Sequence, residues 1–264
     1  MIARIGWALL VVFNSLTIGV LLVPLAISVL VSFNPSEFIA LPDQFSLRWY
    51  REFFGDWQWM DSLKSTLTIA LLTIVVSLPI GLLAAIAFTR FHLRWRGALN
   101  MAVMLPLFVP PVIIGLGSLT FHRTIGIWGT HFSVAVAHSL WAIPLVFVVM
   151  KSTLAGVDRS LEEAAAGLGA SPARVFTEVT LPLIGTGVFV GVLFAFIISV
   201  NEFIMALFLG TADVKTLPVA IWPKIRYLLT PIVAAASSVI ILITLAILVI
   251  CARVVNIRRL IEYK

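Results

Sequence analysis

The sequence predicts an all-α membrane protein with six spans, and three observations carry that prediction. Of its 264 residues, 61% are hydrophobic and only 11% are charged, too little charge to keep a soluble domain of this length dissolved. Apolar runs of about 18 residues or more recur, each long enough to cross a hydrocarbon core about 30 Å thick. The lysines and arginines between those runs are shared unevenly between the two sides, as they are around membrane helices.

The first run covers about Ile5 to Ser32. It is too long for the core of a signal peptide and lacks an A-x-A site, which predicts an uncleaved helix. The next two runs cover about Ser62 to Thr89 and Ala98 to Phe121. The fourth is about His131 to Met150, the fifth about Leu183 to Leu209, and the sixth about Ile232 to Cys251. Prolines recur inside them: Pro24, Pro79, Pro106, Pro110, Pro111 and Pro144. Each removes a backbone donor and bends its helix. At membrane depth the freed carbonyls need a neighbouring helix or a wet cavity. Residues 1–264 are therefore expected to form one transmembrane domain, with no soluble domain left over.

Eleven of the eighteen basic residues fall on one side: Arg4, Arg90, Arg94, Arg96, Lys151, Arg159, Arg174, Arg253, Arg258, Arg259 and Lys264. Five acids accompany them, whereas the other side carries seven bases and six acids. The first side is predicted to be cytoplasmic, with both termini and the loop 152–182 on it. Topology thus accounts for the net charge of +6, and no nucleic-acid partner is expected.

Cys251 is the single cysteine, so no internal disulfide forms. Of His92, His122, His131 and His138, only His131 and His138 share a helical face. No carboxylate or cysteine accompanies them in the sequence, and no metal site is expected. Walker-type glycine loops are absent, so ATP hydrolysis is not expected of this chain.

Two outer segments are too polar or too broken to span. "SLRWYREFFGDWQW", Ser46 to Trp59, is amphipathic and reads as an interfacial anchor, with an external partner as the alternative. Thr216 to Thr230 holds Pro218, Trp222, Pro223, Lys224, Arg226 and Tyr227. It reads equally as an interfacial anchor or as an external half-helix that gates a path or meets a partner.

The loop "EEAAAGLGASPARVFTEVTLP", Glu162 to Pro182, is small and polar in an otherwise oily chain. Ser160 followed by Glu163 has capping-box spacing and predicts a helix starting at Leu161. Gly167 and Gly169 are placed to end it. Ser171 then caps a second helix with Pro172 at its first position. Leu181 and Pro182 close the insert. Such short helices are marginal alone in water, and the face of Ala164, Ala165 and Ala166 offers a partner close approach.

The spacing of Glu163, Ala164, Ala165, Gly169, Val179, Leu181 and Pro182 resembles the EAA motif of bacterial ABC importer permeases. Val179 stands where isoleucine is usual. "SLRWYREFF", Ala137 to Ser171 and "TLPVAIWPKIRYLLTP" are similar to the spermidine/putrescine-type, PotC-like permeases, binding-protein-dependent inner membrane components. The resemblance implies the type I importer (MetI-like) fold in the bacterial inner membrane. It also implies a heterodimer with a sister permease, two cytoplasmic ATPases that bind ATP and Mg, and a periplasmic binding protein. In that family the loop forms coupling helices, which places Glu163, Ala164, Ala165, Gly169, Leu181 and Pro182 at the ATPase. No cofactor is implied for this chain.

Glu202 is the only acid inside a predicted span. A charge near mid-bilayer costs about 2.5–3.5 kcal/mol on insertion scales, so it is expected to face protein or water. Gly191, Ala195 and Ser199 make a small-residue stripe on its helical face, and Asn201 adjoins it. Two readings stand open. Glu202, with Asn201, Ser199, Trp222 and Tyr227, lines a path for a cationic solute, or Glu202 pairs with a base on another helix or partner. The substrate is a polyamine-like amine, or an amino-acid or opine-type solute. An ion-gradient-driven transporter is the rival class, but it would want inverted repeats and several intramembrane ionisable groups.

Overall fold

The computed structural model describes residues 2–227 and 230–262. Lys264, counted above among the tail cations, lies outside the described residues, as do Leu228 and Leu229 of the broken outer segment and the side chains of Arg4, Arg258 and Arg259. Among the described residues the regular structure is entirely helical. The chain divides into two compact units, Met1–Met60 with Ala220–Ile243, and Asp61–Val219 with Thr244–Lys264.

In the first unit, α1 (Ile2–Val31) is a 30-residue helix that contains Pro24. Leu10 to Leu25 along it carry large exposed side chains, as expected of a helix meeting lipid. The amphipathic segment folds as α2 (Arg48–Gly55) and buries Trp49 and Phe53. Trp49 Nε1 donates to the Asn34 carbonyl at 2.7 Å, and the Tyr50 hydroxyl lies 2.7 Å from Ser32 Oγ. These bonds tie α2 to the end of α1, so the helix is held by protein as well as suited to an interface.

The second unit is built around α3 (Trp57–Arg90), which at 34 residues is about 51 Å long. The third predicted span is not one straight helix. α4 (Arg96–Met104) runs through a 3₁₀ turn, Leu105–Phe108, and then bends by 99° into α5 (Pro111–Thr124). Val109 is extended, with ψ 127°, because a residue before proline is driven out of the α region. Trp141 Nε1 donates to the Pro106 carbonyl at 2.9 Å and takes up one acceptor at the break.

The fourth span is α6 (His131–Ala155), continuous through Pro144. The polar insert follows as α7 (Arg159–Gly167), α8 (Pro172–Val175), a π turn over Phe176–Thr180, and α9 (Leu181–Leu183). A 75° bend then leads into α10 (Gly185–Asn201). Glu202 is extended, with ψ 124°, so the fifth span breaks there and restarts as α11 (Ile204–Leu209). α12 (Leu217–Tyr227) and α13 (Pro231–Glu262) complete the chain. Among the described residues, four helices are long and apolar enough to cross a membrane, and up to six spans result if each bent pair is one.

Two apolar clusters hold the second unit. One gathers Phe88, Val146, Phe147, Met150, Leu154 and Ile184, and the other Ile69, Val134, Met205, Ala206 and Leu209. Glycine permits the closest approaches. A Cβ on Gly81 would lie 2.7 Å from Val146 Cγ1, and one on Gly187 would overlap the Thr153 side chain. The small-residue stripe on α10 therefore serves close packing: Gly191, Ala195 and Ser199 are all buried.

Candidate functional site

In the hairpin of α7 and α8, a side chain caps the start of α7 and backbone hydrogen bonds close its end. Asp158 is the N-cap of α7, and its carboxylate accepts from Ser160 N at 2.9 Å. The backbone N–H of Ser160, with its side chain second, holds the Asp158 carboxyl below its ordinary value. The expected capping box at Ser160 is thus displaced by two residues. An ionised carboxylate is a stronger acceptor than a hydroxyl, and Glu163 instead lies 3.1 Å from Arg159 on the outer surface.

At the far end Gly169 has φ +89°. Ala170 N donates to Ala165 O at 3.1 Å and Gly169 N to Ala166 O at 3.0 Å. This is the paired Schellman closure, which favours glycine at the left-handed position. Leu168, just before it, is 91% exposed. Ser171 Oγ accepts from Arg174 N at 3.4 Å, as its capping role predicts.

The inner face of the hairpin is fixed to the bundle by Glu162, beside the motif acid. Glu162 Oε2 lies 2.7 Å from Arg90 Nε, and its Oε1 accepts from Arg90 Nη2 at 3.1 Å. Thr180 Oγ1 donates to the same Oε1 at 2.9 Å. Arg90 Nη1 also donates to the Leu154 carbonyl at 3.3 Å. One carboxylate thereby joins the end of α3, the start of α7 and the π turn. Beneath it lies a cavity of about 310 Å³, walled by Ile86, Phe91, Leu154, Val175 and Phe176.

This leaves the predicted motif residues on the outside. Glu163, Ala164 and Pro182 are exposed, while Ala165, Val179 and Leu181 are half-buried. Sequence reasoning missed Glu162, Arg90 and Thr180. The only signal available was a second acid next to the motif, with an arginine cluster on the same predicted side.

A second polar site is buried where the fifth span breaks. Glu202 is 7% exposed. Its Oε1 accepts from Ile204 N at 3.1 Å, and its Oε2 from Met205 N at 2.8 Å and Ala206 N at 3.2 Å. It caps α11 with its own side chain, and the negative charge sits at a helix N-terminus, where it is favoured. His138 Nε2 lies 3.4 Å from Glu202 Oε2, and His138 Nδ1 is 2.9 Å from Ser199 Oγ. Thr73 Oγ1 lies 3.1 Å from Ser199 Oγ.

The chain Thr73–Ser199–His138–Glu202 thus spans α3, α10 and α6 and ends at α11. It presents His138 Nδ1 to the Ser199 hydroxyl and Nε2 to the Glu202 carboxylate. The expectation that no carboxylate accompanies His138 is corrected here. The partner is 64 residues away in sequence, where no spacing rule reaches. Among the described residues no three His, Cys, Asp or Glu side chains come together as a metal site. Asn201 is exposed and donates to Ile197 O at 2.8 Å. Trp222 and Tyr227 are exposed on α12, in the other compact unit.

Residues 77–261 match the binding-protein-dependent transport system inner membrane component family. The chain belongs to this family. It is a multi-pass inner membrane protein and a permease subunit of an ABC importer. The putrescine transport system permease protein PotI of Escherichia coli (strain K12) is 32% identical, over 90% of this chain and 87% of that protein. The spermidine/putrescine permease PotC of Haemophilus influenzae is 28% identical, over 87% and 89%. Among solved structures, a bacterial ABC transporter that imports the acidic polysaccharide alginate has a TM-score of 0.69. Its identity is 18%, and 96% of each chain is covered. The MetNI methionine transporter has a TM-score of 0.60 at 17% identity, covering 75% of this chain and 93% of that one. These likenesses give this permease the type I ABC importer fold.

Proposed function

We propose that this permease imports a polyamine-like amine, delivered by a periplasmic binding protein, through a path formed with a sister permease. ATP and Mg are bound by two cytoplasmic ATPase subunits, and this chain carries no catalytic group. Both termini and the hairpin face the cytoplasm. The observation that carries the coupling reading is the hairpin itself. Its inner face is clamped to α3 by Arg90–Glu162, while Glu163, Ala164 and Leu168 stand exposed. A stiff lever with an exposed apolar tip is suited to transmit force from a motor subunit. Ala165, Gly169, Leu181 and Pro182 shape that lever.

The likeness to PotI and PotC supports the amine substrate. The solute path passes the break at Glu202. There the carboxylate contributes negative potential, Ser199 orients His138, and exposed Asn201 offers an amide. Trp222 and Tyr227, in the other unit, carry aromatic rings of the kind that attract ammonium groups, and the Arg226 guanidinium already lies 5.6 Å from the Tyr227 ring centroid. Uptake of labelled putrescine into proteoliposomes holding the assembled transporter and its binding protein tests this reading. It is expected to need ATP and to stop with vanadate. Uptake that follows an ion gradient without ATP sinks it.

A further inference from the structure

Beside the hairpin, and sharing Arg90 with the clamp, the connection from α3 to α4 forms a cationic hollow. It is a cavity of about 230 Å³ lined by Arg90, His92, Arg96 and Arg159 among Phe88, Phe91 and Leu93. Arg94 stands exposed in the same turn. Glu162 is the carboxylate partner of Arg90, and Glu163 that of Arg159. Among the described residues neither Arg94 nor Arg96 has one. The Arg96 guanidinium instead donates to the Phe88 carbonyl at 3.0 Å, which fixes it at the wall of the hollow. Four guanidiniums therefore face two carboxylates, and two positive charges are left over.

The rim is aromatic. Phe91 is 65% exposed and Trp95 67% exposed, immediately beside these cations. Exposed aromatic rings next to arginines, at the end of a membrane-spanning helix, mark headgroup depth. Surplus basic residues at that depth attract anionic lipid.

We infer that this hollow is a binding site for the phosphodiester of an anionic phospholipid, held by Arg96 and Arg159 with the acyl chains against Phe91 and Trp95. The occupant is a lipid and not a free anion, because the apolar rim has nothing to offer inorganic phosphate. Arg159 is also the first residue of α7. A headgroup drawing on its guanidinium competes with Glu163 and so makes the outer face of the hairpin sensitive to lipid composition.

Native mass spectrometry of the full chain in neutral detergent tests this, with phosphatidylglycerol, phosphatidylcholine and inorganic phosphate as probes. Phosphatidylglycerol is expected to be retained more tightly than phosphatidylcholine. Each cation removed is expected to cost about fivefold, so R96Q/R159Q loses about 25-fold. R96K/R159K retains the lipid. R159Q alone spares the Arg96–Phe88 bond and is expected to cost about fivefold, which keeps the test open if R96Q impairs folding. Equal retention of the two lipids overturns the site. So does an equal loss in R48Q/R51Q, whose cations lie on the other predicted side. Displacement of phosphatidylglycerol by inorganic phosphate at matched concentration overturns its assignment to a lipid.

Discussion

Glu162 lies 2.7 Å from Arg90, from the first turns of the hairpin to the last residue of a 34-residue span. The pair is 14% and 15% exposed, so solvent screens it little. Removing one partner strands the other charge, at a cost of about 1–3 kcal/mol. E162Q is therefore expected to lower the melting temperature of the detergent-solubilised permease and to reduce ATP-driven uptake. E163Q, on the outer face, is expected to leave melting within about 0.5 kcal/mol of wild type. If the two variants melt alike, the clamp has no structural role.

The exposed tip makes a separate prediction. L168A removes a side chain that touches little of its own chain, so stability is expected to change by less than about 0.5 kcal/mol. Co-purification of the ATPase is expected to fall. G169D puts a Cβ and a charge at φ +89°, where a non-glycine residue costs about 1–2 kcal/mol, and is expected to lose the ATPase as well. An ATPase retained fully by L168A sinks the claim that the tip is an anchor.

The elements were legible because their causes are local. Apolar runs placed the spans, and Gly169, Ser171 and Pro172 stand where turn chemistry put them. The breaks were only half legible. Pro110 and Pro111 announced a bend, but the 99° angle depends on how α5 packs. The break at Glu202 has no glycine or proline to announce it. The carboxylate supplies the cap that makes an interruption tolerable, and its readers, Ala206 N and His138, lie on α11 and α6. Glu162 was hidden for the same reason: Arg90 is 72 residues away.

Close helix contact gives the third prediction. Gly187 faces the Thr153 side chain with no room for a Cβ. G187V forces α10 away from α6, and overpacking of this kind costs about 1–3 kcal/mol. T153A/G187V is expected to recover only part of that loss, because the hydroxyl and methyl are gone but the Cβ of residue 153, 2.8 Å from the new Cβ, remains. Failure of the second change to rescue melting would place the fault elsewhere.

Acid should loosen the start of the hairpin. The Asp158 carboxyl is held below its ordinary value by Ser160. Its contribution is therefore present above the unfolded carboxylate value of about 4. It is lost as pH falls through the lower folded value. Amide exchange of Ser160 and Leu161 is expected to lose protection in that acid window, relative to the intrinsic rate, and D158N is expected to remove the pH dependence. Protection that is the same in D158N and wild type through the window rules out the cap as its source.

Glu202 separates a structural from a transport role. Alanine there leaves three backbone N–H groups without their acceptor in a largely buried setting and removes the carboxylate 3.4 Å from His138 Nε2. Each such group costs about 1–3 kcal/mol when left unpaired, so E202A is expected to fail to assemble. Glutamine keeps an acceptor oxygen for α11 but removes the charge. E202Q is therefore expected to fold with a modest loss of melting temperature and to lower putrescine uptake several-fold. H138Q serves as the companion variant. It removes the imidazole but leaves the carboxylate charged, so it should perturb melting while sparing the preference for cationic solute. If E202Q leaves both uptake and ATPase stimulation at wild-type levels, the carboxylate only caps α11, and the attraction for the amine must come from other residues.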